Sequence, residues 1–295
     1  MFYSWKMGKY MIFCICVWGL IGSINSQKSF SSLSCQGSRT SRIVGGSEAE
    51  KNEMPYIVSL TRRGGHFCGA SILNERWLLT AGHCVCNGLN NLIKPSQIRG
   101  VIGLHSISEF LNGLQGRSYR LNPSQIEFRN IVTHPGYDCN HVKNDIALLE
   151  LTRPIIFSEQ IRPTCLSMDL DGRNFEDDFA TVSGWGWTNE NQGNGDRADV
   201  LRKATVQIWN NDICERSYQV NGKRSNFIAE TQMCAGFVNG GIDSCWADSG
   251  GPLVTKDNLL VGVVSTGIGC ARPGLPGIYT RVSKYINWME QVILR

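Results

Sequence analysis

The sequence predicts an all-β fold, a barrel or a sandwich, ended by one helix. Two observations carry that expectation: short apolar or alternating runs between Gly, Pro and Asn breaks, and a change of period at the tail. In chain order the runs are "YIVSL" (56–60), "RWLLTA" (76–81), "DIALLEL" (145–151), "ATVSGWG" (180–186), "LLVGVVST" (259–266) and "GIYTRV" (277–282). Each is a few residues long and rich in branched or aromatic side chains, which suits strands. In the tail, Val282, Tyr285, Ile286, Met289 and Ile293 recur at helical spacing, so "VSKYINWMEQVIL" is expected to be an amphipathic helix packed on the core. The chain shows no internal repeat and no long linker.

The first 26 residues read as a separate unit. Lys6 and Lys9 precede the apolar run "MIFCICVWGLIG", and small and polar residues follow it. That is the layout of a secretory signal peptide. The competing reading is a membrane anchor, but a spanning helix needs about 20 apolar residues and this run is shorter. Residues 27–42 then form a spacer, expected to be an activation propeptide, and residues 43–295 one domain. Residues 1–42 hold Lys6, Lys9, Lys28, Arg39 and Arg42 and no acid, so their removal takes the formal charge from +4 to −1. A near-neutral mature chain argues against nucleic acid or anionic membrane as a partner. Cys14 and Cys16 leave with the signal, and ten cysteines remain. An even count in a secreted, extracellular chain reads as disulfides. His134, Cys139 and His141 offer a rival metal reading, but zinc would want a further ligand at defined spacing.

Three stretches carry the chemistry. "LLTAGHCV" offers His83, "NDIALLEL" offers Asp145 and "DSGGPL" offers Ser249. A serine hydroxyl is a weak nucleophile at neutral pH, so it needs a base, and the base needs a carboxylate to orient it. Each stretch alone has an ordinary explanation: a structural histidine, a capping aspartate, a turn serine. Together with "RIVGG", "SGWG" and the order of all five motifs, they resemble the trypsin/chymotrypsin-like serine protease family over roughly residues 43–293. The resemblance implies two packed antiparallel six-stranded β-barrels with a C-terminal α-helix and the catalytic cleft between the barrels. It implies Ser249 as nucleophile, His83 as base and then acid, and Asp145 as the group that fixes the His83 tautomer. Ser265 resembles the family serine that bonds this aspartate. The oxyanion hole would be the backbone N–H groups of Ala247 and Ser249. The family normally has glycine where Ala247 stands; the N–H survives, while the methyl is expected to crowd a bound chain and to narrow the backbone angles available.

The same resemblance assigns activation and specificity. Cleavage between Arg42 and Ile43 would free an amine that threads inward to the Asp248 carboxylate, because a buried charge needs a partner. Before that cut, Ser59 and His66 match residues that keep the same acid company in zymogens of the family. Asp243, six residues before Ser249, would floor the primary pocket and select Lys or Arg by charge. Ser244 beside it, and Gly267 and Gly277 at the pocket walls, match the trypsin pattern. Thr266 departs from it, since an aromatic is usual there, and Trp246 at the pocket lip is a partial substitute.

The disulfides implied are Cys68–Cys84, Cys214–Cys234, Cys245–Cys270 and Cys35–Cys165. The resemblance leaves Cys86 and Cys139 to pair with one another, a bridge that it does not itself supply. Ala180 and Thr255 replace both cysteines of a further family bridge. Leu104 stands where the calcium loop usually has glutamate, and hard cations want carboxylate oxygens. Pro276 matches members without a sodium site. No metal and no cofactor are therefore expected. The expected partners are protein or peptide substrates, an activating protease and protein inhibitors, met by a monomer. The alternative is a relative with weakened catalysis that serves as a binding protein or cofactor; the intact His83–Asp145–Ser249 set argues against it and Ala247 argues for it.

Overall fold

The computed structural model describes residues 46–87, 91–114, 124–139, 142–166, 174–188, 190, 197–222, 228–241 and 247–295. The expected signal peptide, the propeptide and the cleavage point at Arg42 and Ile43 lie outside these residues, as do Cys35, His141, Asp243, Ser244, Cys245 and Trp246.

After β1 (Ser47–Glu48), the first sheet takes β2 (Ile57–Arg62), β3 (Gly65–Ile72), β4 (Trp77–Thr80), β5 (Arg99–Ile102), β6 (Gln125–Ile126), β7 (Phe128–Thr133) and β8 (Ala147–Leu151). Its order is β6-β5-β2-β3-β4-β8-β7, antiparallel throughout. The second sheet takes β9 (Cys165–Leu166), β10 (Phe179–Gly184), β11 (Arg202–Trp209), β12 (Gln232–Gly236), β13 (Pro252–Thr255), β14 (Leu259–Thr266) and β15 (Gly277–Arg281). The ring β11-β10-β13-β14-β15-β12 closes on itself through the β11–β12 pairing. Closure leaves no free edge within that ring. The expected six strands per barrel are the longer ones: the sheets count seven and eight because the two-residue β6, β1 and β9 join their rims, β9 in parallel to β14.

Three α-helices occur among the described residues, against one expected: α1 (Ile107–Leu114), α2 (Asn211–Val220) and α3 (Ile286–Ile293). The Asn210 side chain caps α2 by accepting from the N–H groups of Asp212 and Ile213 at 2.9 and 3.2 Å. The tail begins as a tight 3-10 turn, Val282–Tyr285, before α3. Its buried Val282, Tyr285, Ile286 and Met289 join the apolar cluster of the first barrel, although the preceding strand belongs to the second. The tail thus straps the two barrels together. Strand β4 is buried along its whole length, as is most of β8, which explains why "RWLLTA" and "DIALLEL" read as continuous apolar runs rather than alternating ones. No helix of the described residues is long and apolar enough to cross a membrane.

Candidate active site

His83 lies in a 3-10 turn, Gly82–Val85, directly after β4, and Asp145 lies just before β8. Strands β4 and β8 pair, with Thr80 opposite Ala147, so the sheet register itself sets the two catalytic candidates side by side. The Asp145 carboxylate is almost fully buried and is held at three points. Its Oδ2 accepts from His83 Nδ1 at 2.8 Å and from the Ser265 hydroxyl at 2.6 Å, while Oδ1 accepts from the His83 backbone N–H at 2.8 Å. The Thr280 hydroxyl donates to the Asp145 carbonyl at 2.7 Å. Burial raises the carboxyl pKa, but the His83 charge and these bonds outweigh it, and the group stays below its ordinary value. Burial likewise lowers His83, yet attraction and hydrogen bonding to Asp145 prevail and hold it above an ordinary histidine. With Nδ1–H donated to the carboxylate, neutral His83 presents a lone pair at Nε2, which is what a general base requires.

Ser249 sits in a turn pinned on several sides. Its carbonyl accepts from Gly69 N–H on β3 at 2.7 Å, Gly250 N–H donates to the Val264 carbonyl at 2.8 Å, and Gly251 N–H donates to the Asp248 carbonyl at 2.9 Å. Gly250 has φ +77°, and a Cβ there would collide with the Thr80 hydroxyl and the Gly69 carbonyl and come within 3.1 Å of Cys84 Sγ. Only glycine fits, and its bareness lets the turn pack at Gly250 against Cys84, the neighbour of His83.

Ala247 has φ +73°, in the left-handed region. For a residue with a Cβ this costs about 1 kcal/mol or more. His66 helps to hold the residue in place: its Nε2–H donates to the Ala247 carbonyl at 3.0 Å, and its Nδ1 accepts from the Ser59 hydroxyl at 2.8 Å. Burial, opposed by the Ala247 bond and aided by the Arg197 charge, pushes His66 down to about 4, so it is neutral and keeps this tautomer. Both His66 ring nitrogens are thus engaged, and Asp248 Oδ1 accepts from Gly186 N–H at 2.8 Å.

The pocket-wall candidates Gly267 and Gly277 face each other: a Cβ on Gly267 would lie 3.8 Å from the Gly277 Cα. The disulfides Cys68–Cys84, Cys86–Cys139 and Cys214–Cys234 are present. Cys165 and Cys270 are each disulfide-bonded, and their expected partners Cys35 and Cys245 lie outside the described residues. Cys139 is thereby removed as a metal ligand, and His134 Nδ1 accepts from Gly136 N–H. Sequence reasoning missed Thr280, and also Tyr137, whose ring occupies the space that a Cβ on Gly82 would need, 2.8 Å away. No local signal marks either, since Thr280 reaches Asp145 across 135 residues.

A buried carboxylate, a histidine oriented by it and a serine at a tight glycine turn form the constellation of acyl-transfer hydrolysis. A family model described as Trypsin matches residues 43–289. The chain is 41% identical over 252 residues to trypsin 5G1 of Aedes aegypti, covering 85% of each protein. It is 36% identical over 259 residues to transmembrane protease serine 9 of Rattus norvegicus, covering 85% of this chain and spanning only 22% of that relative. A two-barrel fold, this site between the barrels and a family match over most of the length converge on one assignment: the chain belongs to the trypsin family and is a trypsin-like serine endopeptidase.

Proposed function

We propose that the chain is the zymogen of a secreted, monomeric endopeptidase that cuts after Arg or Lys and is activated at the Arg42–Ile43 bond. The observation that supports the reaction is the three-point hold on Asp145, which fixes the His83 tautomer beside the Ser249 turn. In this reading Ser249 Oγ attacks the scissile carbonyl while His83 Nε2 takes its proton. The same nitrogen returns the proton to the departing amine, leaving an acyl group on Ser249 that water then removes. The Ala247 and Ser249 N–H groups stabilise the oxyanion. Asp243 is read as the floor of the primary pocket, between the glycine walls at 267 and 277, where bulk-free residues leave room for a long cationic side chain. The Ile43 amine, once freed, would pair with Asp248 and order the turn that carries the two N–H donors. Its partners are polypeptide substrates, an activating protease and protein inhibitors.

The test is to express the full chain, cut it after Arg42 and follow hydrolysis of a short Arg-amide. Activity is expected only after the cut, to fall by roughly 10⁴-fold or more in Ser249→Ala, and to be lost on Arg- and Lys-amides in Asp243→Ala. An uncut Arg42→Gln chain as active as the cut enzyme would refute zymogen control. Undiminished Arg turnover in Asp243→Ala would refute the specificity reading.

A further inference from the structure

The tip of the β2–β3 hairpin is basic. Arg62 pairs with Gly65, so the loop is the dipeptide Arg63–Gly64, with φ +51° and +83° at the two positions. Two successive left-handed residues make the tight primed turn that keeps a hairpin's twist. Arg62 and Arg63 are both exposed there. A third arginine reaches the hairpin one residue from Gly65. Arg197 is also exposed, is held by a bridge to Trp187, and donates from Nη1 to the His66 carbonyl on β3 at 2.8 Å. Among the described residues no carboxylate pairs with any of the three, whereas the nearby Arg99 is already matched by Glu127.

The position of this cluster relative to the chemistry follows from the proton path. His83 Nε2, in the role proposed above, hands its proton to the leaving amine. Cys84 Sγ lies 3.8 Å from that nitrogen and is bonded to Cys68 on β3. Of the pocket walls, Gly277 opens β15 and Gly267 directly follows β14, both strands of the other sheet. The acyl half of a substrate therefore lies over the second barrel, and the half beyond the scissile bond leaves across β3. Gly69 touches Ser249, and Gly65 at the hairpin tip is four residues further on. At about 3.3 Å per residue that is roughly 13 Å, which an extended substrate covers in about four residues.

We propose that Arg62, Arg63 and Arg197 form a ledge that binds acidic side chains at about the third to fifth residues beyond the cleaved bond. The proposal deepens the proposed function and rests on its serine-histidine mechanism and Arg specificity. Exposed charge pairs are individually weak and strongly screened, so the ledge acts as a preference among substrates rather than a requirement.

Two fluorescence-quenched peptides test it. They are identical through the cleaved Arg and differ only in Glu or Gln at the third to fifth residues beyond it. A short Arg-amide, with nothing beyond the bond, is the control. At low salt kcat/KM for the Glu peptide is expected to exceed that for the Gln peptide by about three- to ten-fold. The ratio should shrink toward one at 1 M salt, where charges are screened beyond about 3 Å. Because it is a ratio within one preparation, it does not depend on the amount of active enzyme. Arg62→Gln/Arg63→Gln should bring it below about twofold, and Arg62→Glu/Arg63→Glu should invert it. Equal cleavage of the two peptides by the unmodified enzyme, with the Arg-amide turned over normally, overturns the ledge alone. A Glu preference that survives Arg62→Glu/Arg63→Glu also overturns it. Failure to turn over the Arg-amide overturns the Arg reading and the ledge with it.

Discussion

At the scale of single residues, Ala247 is where this chain departs most from its own local chemistry. A Cβ-bearing residue holds φ +73° in the turn proposed to present two N–H donors. The compensation is visible: His66 grips the Ala247 carbonyl, Ser59 fixes His66, and Gly186 N–H fixes Asp248 next in line. Replacing Ala247 with glycine removes strain of about 1 kcal/mol or more. It also gives the unfolded chain more freedom, worth roughly 0.5–1 kcal/mol in the opposite direction. Ala247→Gly should therefore leave stability unchanged or raise it by up to about 1 kcal/mol, a Tm gain of up to about 4 °C for a domain of this size. Calorimetry in a Ser249→Ala background, which prevents self-digestion, measures this directly. A clear fall in Tm would show that the turn carries no strain at Ala247. The residue was legible from sequence as an oddity, because it interrupts a motif. Its left-handed backbone was not, because φ is imposed by contacts with residues as distant as His66, 181 positions away.

At the scale of elements, the bridge that the family resemblance did not supply is the informative one. Cys86 follows the turn that carries His83, and its N–H donates to the His83 carbonyl; Cys139 lies in the loop that leads to Asp145. The disulfide closes 53 residues. On the chain-entropy account such a loop is worth about 4 kcal/mol, within a typical range of about 2–4. Cys86→Ser/Cys139→Ser, again in a Ser249→Ala background, should lower Tm by roughly 5–15 °C while the cooperative transition remains. A change under about 2 °C would mean that the two loops are held by their hydrogen bonds alone. The strands legible in the sequence are those whose runs are apolar and bounded by breakers, such as β4, β8 and β14. Helices α1 and α2 escaped notice because eight to ten residues are too few to be helical on their own propensity. Tertiary contacts decide them: Asp199 accepts from Ser106 and Ser108 at the start of α1, and the Asn210 cap and the Cys214–Cys234 bridge anchor α2. The site shows the same division. His83, Asp145 and Ser249 stand in contiguous motifs, whereas Thr280 and Arg197 act across more than a hundred residues and leave no local trace.

At the scale of the whole molecule, the segment that follows the proposed cut must be fastened to the second barrel, and a buried ion pair does part of that fastening. Strand β1 pairs with β11, Ser47 opposite Lys203, and Ala49 N–H donates to the Leu201 carbonyl at 2.8 Å. Lys203 Nζ donates to Glu53 Oε1, with side-chain exposures of 6% and 12%. Glu53 Oε2 in turn accepts from Glu50 N–H at 2.8 Å, closing the loop that leads into β2. Taking two charges out of water is costly, and their attraction in the interior repays it only when both are present. The pair therefore adds little net stability, yet losing one member takes the counter-charge from the other. Lys203→Ala should cost about 3–5 kcal/mol, a Tm drop of roughly 6–20 °C. The double replacement Glu53→Leu/Lys203→Met, which fills the same space without charge, should recover most of that loss. Calorimetry of the two variants and the parent, in a Ser249→Ala background, separates the outcomes. If the single variant is no less stable than the double, the ammonium and carboxylate are effectively solvated, and the first strand is held by its backbone bonds to β11 alone.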